Sequence, residues 1–218
     1  MPSFTKENYL KAIYFLDQKG KHIALTDISK MMGVSNPTAN NMVKKLKDEG
    51  WLTYQRYKPL QLTKKGRKEG ALIVRKHRLA EMFLTKIMGF GWEEVHDVAE
   101  EMEHIQSDLL FERMDEILGH PTVDPHGSPI PNRFGEIEVK AYLSLSEMQE
   151  GRRVRLCALA DSSTDLLKLL NNKEIKLGTE MTILQKESFD QSITVKYDER
   201  SSVMLSAIVC QSLLVEEV

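Results

Sequence analysis

The chain has 218 residues, 41% of them hydrophobic and 28% charged, with a formal net charge of −2. Such a composition belongs to globular proteins, and the length supports one or two cored domains. No stretch approaches the ~20 apolar residues of a spanning helix, and the opening MPSFTKENYLKAIYFL lacks a signal-peptide core. Cys157 and Cys210 both lie in apolar contexts and read as buried thiols, not as a disulfide framework. A cytoplasmic protein without a membrane partner is expected. The small net charge hides an asymmetry: residues 1–80 carry +11, residues 81–120 carry −9, and the remainder −4. A basic first third implies a polyanionic partner, and an acidic centre implies cations.

In chain order, KENYLKAIYFLDQKG places Tyr9, Ala12, Ile13 and Leu16 at helical spacing and stops at Gly20. LTDISKMMG reads as a short helix with Thr26 as its cap and Gly33 at its end. VSNPTANNMVKKLKDEG restarts with Ser35 as cap, Pro37 in the first turn and Gly50 after the last. WLTYQRYKPLQLT then alternates around Lys58-Pro59 as a two-stranded ribbon. A long helix is expected from Thr63 to about Met88, and a second from about Trp92 to Leu118, with room for a break. Residues 119–135, GHPTVDPHGSPIPNRFG, form a Pro- and Gly-rich connection. Beyond it VKAYLSL, RVRLCALA, MTILQ, SITVKY, SVMLSAI and VCQSLLV read as short strands of a small barrel, interrupted by the helical STDLLKLLNNK.

Helix, helix, Gly turn, helix and ribbon is the order of a winged helix-turn-helix. Its second paired helix opens with short polar groups suited to base edges. Ser35 and Asn36 lead it, Asn40 or Asn41 can pair with adenine, and Pro37 or Thr38 can touch a thymine methyl. Lys44, Lys45 and Lys47 follow for phosphates, with Arg56 and Lys58 near the wing tip. Duplex DNA is the expected partner; a protein-binding winged helix is the alternative.

The acidic centre asks a different question. VHDVAEEMEHIQSDL packs two histidines and five carboxylates into fifteen positions. At about 100° per residue His96, Glu100, Glu103 and His104 share one helical face, and His77 and Glu81 stand four apart on the preceding helix. A solvated acidic face is the plain explanation for repelling carboxylates. Imidazole and carboxylate on neighbouring helices also suit Mn²⁺ or Fe²⁺.

The blocks ENYLKAIYFL, VRKHRLAEMFL, VHDVAEEMEHIQSD and DPHGSPIPN resemble the diphtheria toxin repressor family of metal-dependent transcriptional repressors, along essentially the whole chain. The resemblance implies a homodimer that binds operator DNA when loaded with Mn²⁺ or Fe²⁺, with about two ions per chain and no small organic cofactor. It also implies an α+β fold: a winged helix-turn-helix over 1–74, a helical metal-binding and dimerisation domain over 75–135, and a small SH3-like (FeoA-type) barrel over 136–218. Carried over by position, the family's regulatory site falls on Asn8, Glu100, Glu103 and His104. A second site falls on His77, Glu81 and His96, joined by Asp124, His126 and Asp161. Turn or cap chemistry is the competing role for Asp124 and Asp161.

Iron-responsive members carry sulfur donors where this chain has Asn8 and Glu100, so an oxygen-rich set favours manganese. Asn8 keeps an oxygen but loses the charge of the aspartate in manganese-responsive members. Adjacent Glu7 is the alternative donor at this position, although it projects about 100° away around the helix. Two rival functions remain. Glu93-x-x-His96 and Glu101-x-x-His104 match the spacing of di-metal carboxylate oxidases, although those draw the motifs from different helices. A metal-independent DNA-binding regulator is the other.

Overall fold

The computed structural model describes residues 3–20, 22–55 and 58–218. They divide into two compact units: Met1–Ala80 with Asp97–Thr122 and Ile130–Glu138, and Glu81–His96 with Val123–Pro129 and Val139–Val218.

In the first unit α1 (Phe4–Gln18), α2 (Leu25–Met31) and α3 (Asn36–Asp48) pack on one core. Tyr9, Leu10, Ile13 and Tyr14 face inward from α1, Ile28 from α2, and Ala39, Val43 and Leu46 from α3. Each large side chain buried this way contributes about 1.5–3 kcal/mol, as an upper estimate. α2 starts one residue outside the expected cap. Ala24 is its N-cap, and the Asp27 carboxylate accepts the Ala24 N–H at 3.0 Å, so Thr26 does not cap it. Ser35 does cap α3, its Oγ accepting the Thr38 N–H at 3.4 Å, with Pro37 in the first turn where its missing N–H costs nothing. The ribbon is short: β1 (Leu52–Thr53) pairs antiparallel with β2 (Gln61–Leu62), Leu52 opposite Leu62.

α4 (Lys64–Lys86) is one continuous helix. The expected second long helix is two. α5 (Val95–Met102) ends inside the acidic stretch, between Glu101 and Glu103, and α6 (Asp108–Ile117) begins on Ser107, whose Oγ accepts the Leu110 N–H at 3.3 Å. Glu103 and His104 therefore lie in the turn after α5, although the Glu103 N–H still reaches the Ala99 carbonyl at 2.9 Å. That extra bond keeps Glu103 close to the helical register predicted for it.

In the second unit a six-stranded antiparallel sheet has the order β3-β8-β4-β5-β6-β7. These are β3 (Leu143–Ser144), β4 (Arg153–Leu159), β5 (Glu180–Lys186), β6 (Ile193–Tyr197), β7 (Arg200–Leu205) and β8 (Leu213–Glu217). α7 (Thr164–Asn172) follows β4, and α8 (Ala207–Ser212) precedes β8. Two expected strands are shorter than predicted. VKAYLSL pairs only at Leu143–Ser144 before a 3-10 turn, and VCQSLLV spends its first half in α8. Val209 and Cys210 bury one side of that short helix, which the strand pattern alone disguises. The core runs through Leu156, Leu167, Leu170, Ile183, Val195 and Val215.

Candidate metal centre and DNA-reading surface

α3 presents the expected reading surface. Ser35, Asn36, Pro37, Thr38, Asn41, Lys44, Lys45 and Lys47 are exposed, whereas Ala39, Val43 and Leu46 are buried. The two other asparagines accept hydrogen bonds from neighbouring side chains. Tyr54 donates its hydroxyl to Asn40 Oδ1 at 2.8 Å, and Ser29 donates to Asn36 Oδ1 at 2.6 Å. Asn40 thus braces the ribbon against α3, leaving Asn41 as the better placed of the pair to meet a base. Lys58 is exposed; Arg56 lies outside the described residues.

The first donor cluster lies wholly within the first unit. His77 Nδ1–H donates to Glu103 Oε2 at 2.7 Å, and donor atoms of His77, Glu100 and Glu103 lie within 4.8 Å of one another. His104 Nε2 stands 3.8 Å from Glu103 Oε1. The other ring nitrogen is committed: His104 Nδ1–H donates to Glu7 Oε2 at 2.6 Å, and Gln106 donates to Glu7 Oε1 at 3.0 Å. An ionised carboxylate only accepts, so this contact fixes the tautomer and turns the Nε2 lone pair toward Glu103. Phe4 stacks on the imidazole with centroids 4.8 Å apart.

Glu7, the alternative donor to Asn8, meets His104 instead, a role the sequence does not show. It does project away from Asn8, yet that direction is where His104 lies. Its signal was its place one residue before Asn8 on a helix with few other acids.

Asn8 sits between the two α1 residues that touch the cluster, Glu7 before it and Lys11 one turn after. Its Oδ1 is buried and accepts no hydrogen bond. Glu103 Oε1 also lacks an aligned donor, although the Lys11 ammonium lies 2.8 Å away in ion-pair range. Buried oxygens of this kind cost stability unless a cation or donor completes them. The set of amide oxygen, two carboxylates and imidazole, without sulfur, fits a hard or borderline divalent ion.

The second cluster lies within the second unit. Glu81, Asp124 and His126 are all buried, and their donor atoms fall within 4.8 Å of one another. His126 Nε2–H donates to the Trp92 carbonyl at 2.9 Å. A carbonyl only accepts, so the neutral ring keeps its lone pair on Nδ1, 3.8 Å from Glu81 Oε2. That separation is too long for a hydrogen bond, and both atoms belong to the set that would hold a cation here. His96 Nδ1 approaches Glu81 Oε1 at 3.5 Å from an exposed position. Asp124 Oδ1 also accepts the N–H groups of His126 and Ser128 at 2.8 and 2.9 Å, so its turn role and its place in the cluster coexist.

One expected member, Asp161, is placed differently. Asp161 is exposed and takes no part in either convergence; it accepts the N–H and hydroxyl of Ser163 at 3.1 and 3.0 Å just before α7. A short acid two residues before a serine is strong local turn chemistry, and here that chemistry holds it. His77 stands four residues before Glu81 on α4, as expected, and its Nδ1 also meets Glu103 of the first cluster.

Three family models match consecutive parts of the chain. "Iron dependent repressor, N-terminal DNA binding domain" covers residues 2–60, "Iron dependent repressor, metal binding and dimerisation domain" covers 63–132, and "FeoA domain" covers 143–217. The iron-dependent repressor IdeR of Mycobacterium tuberculosis is 38% identical over 127 residues, 58% of this chain. That match spans 55% of the relative, about half its length. The diphtheria toxin repressor of Corynebacterium glutamicum is 31% identical over 225 residues, covering 98% of this chain and 96% of that protein. Among solved structures, a manganese-dependent transcriptional repressor in complex with manganese shares 30% identity at a TM-score of 0.88, covering 97% of this chain and 99% of that one. ScaR with bound Zn²⁺ shares 33% identity at a TM-score of 0.79, with both chains fully covered.

Proposed function

Because the chain belongs to the diphtheria toxin repressor family, we propose that it is a metal-dependent transcriptional repressor, a cytoplasmic homodimer that engages operator DNA when a divalent ion is bound. One observation carries the reading. A helix of the DNA-reading module, α1, meets the end of α5 and the turn after it through Glu7 with His104 and Lys11 with Glu100 and Glu103, and two buried oxygens there, Asn8 Oδ1 on α1 and Glu103 Oε1 in the turn, have no hydrogen-bond donor. A bound divalent ion would supply the positive charge that these donors share. The chain's own residues do the rest. Glu7 aims His104, Glu103 links α1 to the α5 turn, and α3 is thereby held at a fixed attitude for a dimer meeting two half-sites one DNA turn apart. How far DNA affinity shifts depends on how much better the ion is held in the DNA-competent arrangement.

Mn²⁺ is the favoured ion over Fe²⁺, since no thiolate or thioether stands among the donors to reward softer metals. Glu81, Asp124 and His126, with His96 at the margin and His77 on the same helix as Glu81, form a second, accessory site, so about two ions bind per chain. No small organic cofactor is required. On the DNA side Asn41, Thr38 and Pro37 read bases, whereas Lys44, Lys45, Lys47 and Lys58 grip phosphates. Among the described residues no helix is long and apolar enough to cross a membrane.

The test is operator binding by fluorescence anisotropy, titrated anaerobically with Mn²⁺, Fe²⁺ and Zn²⁺ and repeated in excess chelator. Affinity should rise about 5- to 150-fold with metal, the range of a typical coupling energy. Equal affinity in Mn²⁺ and in chelator would sink the proposal and leave a metal-independent regulator.

A further inference from the structure

A lysine is seldom buried without a strong reason. Lys11 of α1 is 8% exposed, and its ammonium lies 2.5 Å from Glu100 Oε1 and 2.8 Å from Glu103. The two carboxylates offer the negative charge that makes such burial tolerable. They are also two of the donors assigned above to the regulatory ion. An ammonium and a divalent cation cannot both rest against the same oxygens, because their mutual repulsion in a buried setting is strong.

We propose that Lys11 is a tethered competitor for the regulatory metal. It holds Glu100 and Glu103 together while no divalent ion is bound, withdraws when one arrives, and so sets the concentration at which the repressor responds. The inference rests on the regulatory-site reading. Two features favour withdrawal over permanent residence. The lysine stem has four rotatable carbons and a compact, readily hydrated head. The Glu100 side chain is 35% exposed, whereas that of Glu103 is fully buried, so the ammonium has a way out past Glu100.

Selectivity follows from the same contact. An ion must repay the broken ion pairs, and Mg²⁺, which sheds its water reluctantly, is poorly equipped to do so. Lys11 therefore filters out an abundant weak binder as well as raising the threshold for a strong one.

The test compares the full-length parent with Lys11→Met, Lys11→Gln and Glu103→Gln. Free Mn²⁺ is followed by electron paramagnetic resonance, and melting is recorded in chelator and in saturating Mn²⁺. Both Lys11 variants should bind their tightest Mn²⁺ about tenfold more strongly than the parent, within the usual coupling range. They should melt below the parent in chelator, and Mg²⁺ should now raise their melting temperature. Unchanged or weaker Mn²⁺ binding by the Lys11 variants, beside a clear loss in Glu103→Gln, overturns the competitor role and leaves the site reading intact. Parent-like Mn²⁺ binding by Glu103→Gln overturns the site reading itself.

A measurement on the parent protein guards against variants that fold poorly. Acetylation of Lys11 by acetic anhydride, mapped by mass spectrometry, should increase when Mn²⁺ saturates the protein. Labelling that stays the same or falls contradicts withdrawal.

Discussion

The two donor clusters are ordered by different forces. Around Glu103 the organising contacts are side chain to side chain: Glu7 with His104, Lys11 with Glu100 and Glu103, His77 with Glu103. Around His126 backbone groups supply several of them. The Trp92 carbonyl holds the imidazole, Asp124 accepts two N–H groups of its own turn, and the Leu159 N–H of β4 donates to the His126 carbonyl at 2.9 Å. Gly127 completes that turn at φ +85°, seated so tightly that a Cβ there would stand 2.4 Å from the Cys157 carbonyl oxygen. Charged side chains respond to any new cation, whereas a backbone frame stays much the same with or without one. On the proposed reading the first cluster switches and the second stands ready.

The largest effect expected from that contrast is at Glu103. Glu103→Gln keeps the size of a fully buried side chain and removes the charge on which Lys11 and His77 converge. Operator binding should lose its response to Mn²⁺ altogether, while far-UV circular dichroism stays native. A smaller effect is expected at His126. His126→Ala deletes one preorganised donor from an accessory site, so operator binding should survive but require about tenfold more Mn²⁺ or greater. If Glu103→Gln titrates like the parent and His126→Ala cannot be activated, the roles of the clusters are reversed.

The smallest effect on metal response belongs to Gly127→Ala, which alters the frame and no donor. A left-handed alanine with a close carbonyl should cost about 1–3 kcal/mol in urea unfolding and shift the Mn²⁺ midpoint less than His126→Ala does. A Gly127→Ala protein as stable as the parent would mean the turn is less firmly framed than its contacts imply.

Much of this was legible in the sequence because it is periodic or local. The three helices of the winged module, the ribbon, α4, α7 and most strands of the sheet follow from apolar spacing and from punctuation by Gly20, Gly33 and Gly50. The donor-rich stretch was visible as composition, and the family resemblance assigned positions to it. What escaped depends on the third dimension. Glu103 and His104 looked helical because their spacing is helical, but α5 ends at Met102 and Ser107 starts a new helix. Glu7 stands as the alternative donor to Asn8, and nothing in the sequence says that His104 waits on its side of the helix. Lys11 looked like one more positive charge of the DNA-binding third; only packing brings it to acids nearly ninety positions away. Asp161 was an expected ligand whose local turn chemistry competes with that role.

Trp92, whose carbonyl holds His126, also stacks its indole on that imidazole at a centroid distance of 6.1 Å and donates its Nε1–H to Asn171. The chain has only one other tryptophan, Trp51, buried in the core of the winged module. Each unit thus carries its own fluorophore. If the second cluster takes Mn²⁺ as proposed, the paramagnetic ion beside His126 would darken Trp92 directly, while Trp51 would report the state of the reading head. Replacing either indole by phenylalanine turns the protein's natural emission into a two-channel optical record of which cluster fills first.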